Sequence, residues 1–156
     1  MTERAEFESL VAEVTRWAAG KPLDTALEEA LNAHFPPSSP TFRAIEAACR
    51  DGIAQGWMCA REAGGIKFGR VAKPSEALHG FSIDVVDMDE VAGPHHGHPN
   101  GEIDMIMPQR GKAEFDGHGA GWRVYRPGSA HVPTVAGGRA LVLYLLPGGA
   151  IEFTKS

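Results

Sequence analysis

Gly93-Pro94-His95-His96-Gly97-His98-Pro99-Asn100-Gly101-Glu102 gathers three of the seven histidines and a carboxylate into ten residues. His96 and His98 are two apart, so on an extended strand both side chains leave the same face and can share one ion. Asn100-Gly101 is a two-residue hairpin signal, since both central positions of a type I′ turn need positive φ. A reversal there is expected to bring Glu102 back beside His98 on the neighbouring strand. His131, in Arg126-Pro127-Gly128-Ser129-Ala130-His131, then arrives from a distant part of the fold. Three imidazoles and one carboxylate, His96, His98, Glu102 and His131, suit a divalent transition metal: Fe, Mn, Ni, Co or Zn.

The strand period carries the reading further. If Glu102 points inward, so do Asp104 and Ile106, which makes Asp104 a second carboxylate near the metal, suited to moving a proton if an apolar interior lifts its pKa. A rim aspartate paired with an arginine is the alternative. Phe115, Trp122, Tyr125 and Met107 are candidates to line a pocket for a flat substrate or to fill the core. Arg123, Arg126 and Arg139 are candidate partners of a substrate carboxylate.

Outward from this stretch the chain divides in two. Residues 1–56 read as a helical segment. Phe7, Leu10, Val11, Val14, Trp17 and Ala18 recur at helical steps until Gly20-Lys21-Pro22, a second helix begins near Thr25 with a capping-box spacing to Glu28, and a third starts at Ser39-Pro40. These helices are expected to cover an open side of a barrel or to supply part of a homodimer contact. Residues 57–156 read as the β domain. Its expected strands are 57–62 and 66–71 around Ala63-Gly64-Gly65, one through Phe81, Ile83 and Val85, then 102–107, a turn at 108–111, 112–115, 122–126, 129–135 and 139–146. Asp116-Gly117-His118-Gly119-Ala120-Gly121 reads as a glycine-rich reversal. Many short strands without intervening long helices predict a mainly β fold, an antiparallel barrel or jelly roll.

Composition limits the partners. A chain of 156 residues with formal charge −5 carries no basic footprint for nucleic acid. No apolar run approaches the ~20 residues of a membrane span and no apolar leader follows the polar start, so a cytoplasmic protein is expected. Cys49 and Cys59 are expected as core thiols.

The spacing H-x-H-x3-E resembles the first motif of the cupin superfamily, and Gly121, Pro127, Gly128 and His131 resemble the second. Pro127 and Gly128 are adjacent where that family usually has one residue between them, and Val135 replaces the usual asparagine. More narrowly, Gly-Pro-x-His-x-His-Pro-Asn-Gly-Glu-Ile-Asp-Met-Ile-Met-Pro with Trp-Arg-Val-Tyr-Arg-Pro-Gly-Ser-Ala-His-Val-Pro-Thr-Val is similar to the 4-hydroxylaminobenzoate lyase family, small bacterial proteins of nitroaromatic degradation. The resemblance implies a cupin β-barrel with an N-terminal helical segment. It also implies a metal-dependent lyase that converts 4-hydroxylaminobenzoate and water to 3,4-dihydroxybenzoate and ammonia. On that reading Asp104 and Glu102 are catalytic, and Arg126, Tyr125 and Trp122 bind a small aromatic acid. Other expectations consistent with the residues are a cupin dioxygenase or isomerase and a non-catalytic ligand-binding cupin.

Overall fold

The computed structural model describes residues 3–153; Met1 and Thr2 of the polar start and residues 154–156 of the tail lie outside the described residues. Three helices, α1 (Arg4–Ala18), α2 (Thr25–His34) and α3 (Pro40–Gln55), precede nine strands. These are β1 (Arg61–Ala63), β2 (Ile66–Ala72), β3 (Phe81–Ala92), β4 (His96–His98), β5 (Glu102–Phe115), β6 (Gly121–Tyr125), β7 (Ser129–His131), β8 (Thr134–Pro147) and β9 (Glu152–Phe153).

The helix boundaries follow local chemistry. Ser39 caps α3 by accepting from the Phe42 amide, Pro40 sits where no intrahelical N–H is needed, and Gly56 ends the helix with φ 86°. At α2 the cap is Asp24, which accepts from the Leu27 amide, rather than the expected Thr25. Glu28, freed from a capping box, reaches across to the Arg123 guanidinium at 3.2 Å and the Val124 amide at 2.8 Å, fastening α2 to β6.

All strand pairings are antiparallel, in a six-stranded sheet ordered β1-β2-β3-β8-β5-β6 and a three-stranded sheet ordered β7-β4-β9. The large sheet is not closed on itself. The small sheet stands over its inner face, with the His96 ring on β4 centred 6.0 Å from the Tyr144 ring on β8. This is a mainly β architecture of two antiparallel sheets with the three helices packed on the outer face of the larger.

Period two gives the large sheet two cores. Ile103, Met105 and Met107 of β5, with Leu141, Leu143 and Leu145 of β8, face the helices and pack with Phe7, Val11, Leu31, Phe42 and Ile45. Ile106, Val142, Tyr144 and Leu146 face the opposite way and form the barrel interior with Met88 and Phe115. Cys49 and Cys59 are buried free thiols of the helical core; burial pushes the Cys59 thiol up to about 12.

Two strand expectations are corrected. Residues 102–115 form one strand rather than two around a turn, with register shifts between Pro108 and Arg110 and between Gly111 and Glu114. These bulges absorb the proline and glycines without ending the ladder. Gly138, opposite the kink, has no room for a side chain, since a Cβ there would lie 1.8 Å from the Arg110 carbonyl oxygen.

The second correction concerns Asn100-Gly101. Strand β4 pairs with β7 and β9, not with β5, so no hairpin joins His98 to Glu102. The Gly101 amide donates to the His98 carbonyl, closing a turn with Pro99 and Asn100 at its centre, and only Gly101 has positive φ. A type I′ hairpin needs two such residues in succession, and Pro99 fixes its own φ near −65°. The chain therefore crosses from the small sheet to the large one. A Cβ on Gly101 would meet the Tyr125 carbonyl oxygen at 2.8 Å, which holds this corner tight.

Candidate metal centre

Four side chains converge where the two sheets meet. Strand β4 directs His96 and His98 inward from one side of Gly97, β5 supplies Glu102, and β7 places His131 opposite His96 in the ladder. Nε2 of His96 and Nε2 of His98 each lie 3.4 Å from Glu102 Oε1, and Nε2 of His131 lies 3.6 Å from Oε2. The two Nε2 atoms of His96 and His131 are 3.1 Å apart. The four candidate ligand atoms all fall within 4.8 Å of one another.

Hydrogen bonds behind the rings decide which nitrogen faces the centre. The Ser129 hydroxyl donates to the Arg126 carbonyl at 2.5 Å, so its oxygen is left to accept from His98 Nδ1 at 3.0 Å. His131 Nδ1 donates to Asp116 Oδ2 at 2.5 Å. Both rings thus turn Nε2 toward Glu102, the arrangement in which a partner on the far nitrogen orients the ring and leaves Nε2 as the atom a metal would take. Asp116 is itself anchored by the Tyr125 hydroxyl, 2.6 Å from Oδ2, and by the Thr134 amide, 3.0 Å from Oδ1.

The electrostatics are compatible with a bound cation. His98 Nε2 and both Glu102 carboxylate oxygens are buried without a hydrogen-bond partner. Buried unpaired polar atoms are destabilising unless something satisfies them, and an ion among the three imidazoles would do so. Burial holds the His98 imidazole down to about 4. Burial opposes charge on Glu102 too, but contacts with His131, His96 and Asp104 outweigh it and bring the carboxyl down to about 2. His131 is raised to about 9 because Asp116 and Glu102 outweigh its burial. Imidazole and carboxylate donors around one point fit a divalent transition metal.

Asp104 lies on the same inner face of β5 as Glu102, wholly buried, and neither of its oxygens has a hydrogen-bond partner. Burial, then the Glu102 charge, raises its pKa well above the ordinary aspartate value. Tyr125 stands beside the cluster, its ring 4.4 Å from His131 and 5.3 Å from His98. Phe115 lies 6.0 Å from His131.

Trp122 is not brought to the site. Three residues from Tyr125 on a strand, it leaves the opposite face, where its indole N–H donates to the Phe35 carbonyl at 2.8 Å and its ring packs against Phe42. This corrects the expectation that the two aromatics share a pocket, and Met107 falls on the helical side for the same reason. Arg126 is exposed beyond β6 and enters the site through its carbonyl rather than its guanidinium. Arg139 is engaged by Asp87 at 2.8 Å and 2.9 Å.

A cavity of about 720 Å³ opens from His96 and Tyr144 along the inner side of β2 and β3. Its size is that of a small-molecule site. Phe68, Val86, Met88, Pro133 and Phe153 are among its apolar walls. The residues that sequence reasoning missed are Asp116, Ser129 and this β2–β3 wall. Asp116 has φ 50°, and an Asp-Gly pair closing a strand with a left-handed aspartate was the local signal for a residue held in a special place.

Comparison with known proteins agrees with this geometry. Residues 9–153 match the family model described as PnbB: 4-hydroxylaminobenzoate lyase. A 4-hydroxylaminobenzoate lyase of Nocardioides sp. (strain LMS-CY) is 37% identical over 136 residues, 81% of this chain and 80% of that protein. One of Pseudomonas putida is 31% identical over 170 aligned positions, covering 98% of this chain and 97% of that protein. Among solved structures, an RmlC-like cupin protein from Ralstonia eutropha aligns with TM-score 0.45 at 14% identity, over 62% of this chain and 64% of that one. The polyketide cyclase RemF from Streptomyces resistomycificus aligns with TM-score 0.44 at 12% identity, over 64% and 79%. With nearly its whole described length matched, this chain belongs to the 4-hydroxylaminobenzoate lyase family and is an enzyme of the lyase class.

Proposed function

We propose that the protein converts 4-hydroxylaminobenzoate and water to 3,4-dihydroxybenzoate and ammonia, with a divalent metal held by His96, His98, Glu102 and His131. The observation that carries this reading is the convergence of four candidate ligand atoms, those of His98 and Glu102 buried and unpartnered and His96 lining an apolar cavity, in a chain of this family. The conversion balances without an external oxidant, because cleavage of the N–O bond supplies the oxidation level of the second ring hydroxyl. When bound, the ion supplies Lewis acidity toward the hydroxylamine oxygen or a water.

The protein's own groups do the rest. Asp104, buried beside Glu102 with its pKa raised by that burial, is placed to donate a proton to the departing oxygen or nitrogen and to recover one from the incoming water. Tyr125 and Tyr144 flank the imidazoles and orient the ring, and the apolar walls exclude bulk water from the reactive intermediate. The buried residues His96 and His98 are held by ladder hydrogen bonds of the small sheet, so the site is pre-formed.

Metal analysis of the purified protein, followed by incubation with 4-hydroxylaminobenzoate, tests this directly. The expected result is bound transition metal and equimolar 3,4-dihydroxybenzoate and ammonia. His96→Ala and His131→Ala lose both metal and turnover; a fully active metal-free variant would overturn the metal's role, and metal without products would overturn the substrate.

A further inference from the structure

The cavity has a charge pattern of its own. Arg4, Arg61 and Arg70 line it, and Asp84 is its single acidic lining residue among those described. Excess positive charge in a chain of net charge −5 is local rather than general. None of the three is among the candidate metal ligands, and in a cavity with apolar walls their charge suits an anion carried on a hydrophobic body.

Of the three, Arg70 is the one held ready. Its Nε lies 3.0 Å from Asp84 Oδ1, and its Nη2 lies 3.2 Å from Asp84 Oδ2 and 3.1 Å from the Gly149 carbonyl oxygen. These bonds fix the plane of the guanidinium, and Nη1 makes no hydrogen bond among the described residues. A Cβ at Gly149 would come within 2.8 Å of Nη1, so glycine there gives the guanidinium room to sit against this turn. By contrast Arg4 donates to the Trp57 carbonyl and lies over the Trp57 ring, and Arg61 is on the exposed edge strand.

The sheet register places Arg70 at a useful distance. Arg70 pairs with Asp84, and Asp84 with Tyr144, so Arg70 stands two strand spacings, roughly 10 Å, from the tyrosine that contacts His96. A benzene ring with its reacting group at one end and a carboxylate in the para position bridges such a gap. We propose that Arg70, held by Asp84, is the specificity residue that binds the carboxylate of an aromatic acid whose opposite end faces the metal cluster. The choice of a para-substituted ring rests on the function proposed above; the anion site rests on the cavity itself.

The test is binding of two inert ligands by calorimetry, 4-hydroxybenzoate and its neutral analogue 4-hydroxybenzamide, to the metal-containing protein. The wild type is expected to prefer the carboxylate at least tenfold. Arg70→Gln is expected to abolish that preference, and Arg70→Gln/Asp84→Asn, which leaves no unpaired carboxylate should the single variant unfold, is expected to do the same. Arg126→Ala is expected to retain it. A wild type without the preference, a folded Arg70 variant that keeps it, or its loss in Arg126→Ala overturns the proposal. Preference without turnover of 4-hydroxylaminobenzoate removes the lyase reaction and leaves Arg70 as the anion anchor.

Discussion

Asp116 and His131 meet at 2.5 Å, carboxylate Oδ2 to imidazole Nδ1, and this contact turns the other ring nitrogen toward Glu102. Removing the charge while keeping the shape, in Asp116→Asn, is expected to weaken metal binding about 10–100-fold, the usual effect of losing such a partner. Competition with a chelator of known affinity measures it, and an unaltered affinity would show that His131 is oriented by its strand alone.

Asp104→Asn tests proton delivery apart from metal binding. The amide keeps the buried volume but cannot supply a proton, so turnover should fall by about 10²–10⁴ while metal content stays at the wild-type level. Single-turnover rates normalised to bound metal separate the two. A metal-replete variant within tenfold of wild type would assign the proton to another group.

The metal-free protein should lose stability on both sides of neutrality. His131 is raised to about 9 when folded, against about 6.5 for an unfolded histidine. Between those values the folded state binds more protons, so the contribution of His131 is whole below about 6.5 and is lost as pH climbs through about 9. His98, held down to about 4, acts in the other direction: the unfolded state binds more protons between about 4 and 6.5, and stability falls as pH drops through that window. Urea midpoints of chelator-treated protein should therefore peak near pH 6.5. Rebinding metal, which displaces the His131 proton, should flatten the alkaline fall.

Trp122→Ala addresses the face on which this residue lies. Its ring is 3% exposed, edge-on to Phe42 and bonded to the Phe35 carbonyl. Truncation should lower unfolding free energy by about 3–5 kcal/mol, read from urea denaturation. A loss below about 1 kcal/mol would mean that the helical layer rearranges to fill the space.

The clustering of the candidate metal ligands was readable because period two is a strong geometric constraint. Given a strand at His96 and His98, both rings share a face, and given Glu102 inward, Asp104 and Ile106 follow; the structure has all of these buried. Tyr125 and Trp122 illustrate the same rule in reverse, since three positions apart on β6 they must diverge. What could not be read was tertiary. Asp116 meets His131 across 15 residues and Ser129 meets His98 across 31, distances at which no local pattern operates. The sheet change at Gly101 was hidden because Asn-Gly is compatible with a hairpin until the conformation of the preceding Pro99 is known.

The register of the large sheet has a kinetic consequence. Strand β8 lies between β3 and β5, so neither has its main partner until the last long strand of the chain arrives. His131 lies three residues before β8 and is brought beside His96 by the same long-range closure. A nascent or partly unfolded chain can offer at most the three candidate ligands of 96–102, without the third imidazole, His131, or its Asp116 support. Full-affinity capture of a metal ion by these four residues would thus be a late event in folding, slow by virtue of its long-range pairing, and the rate of ion uptake would be a clock for completion of the whole fold.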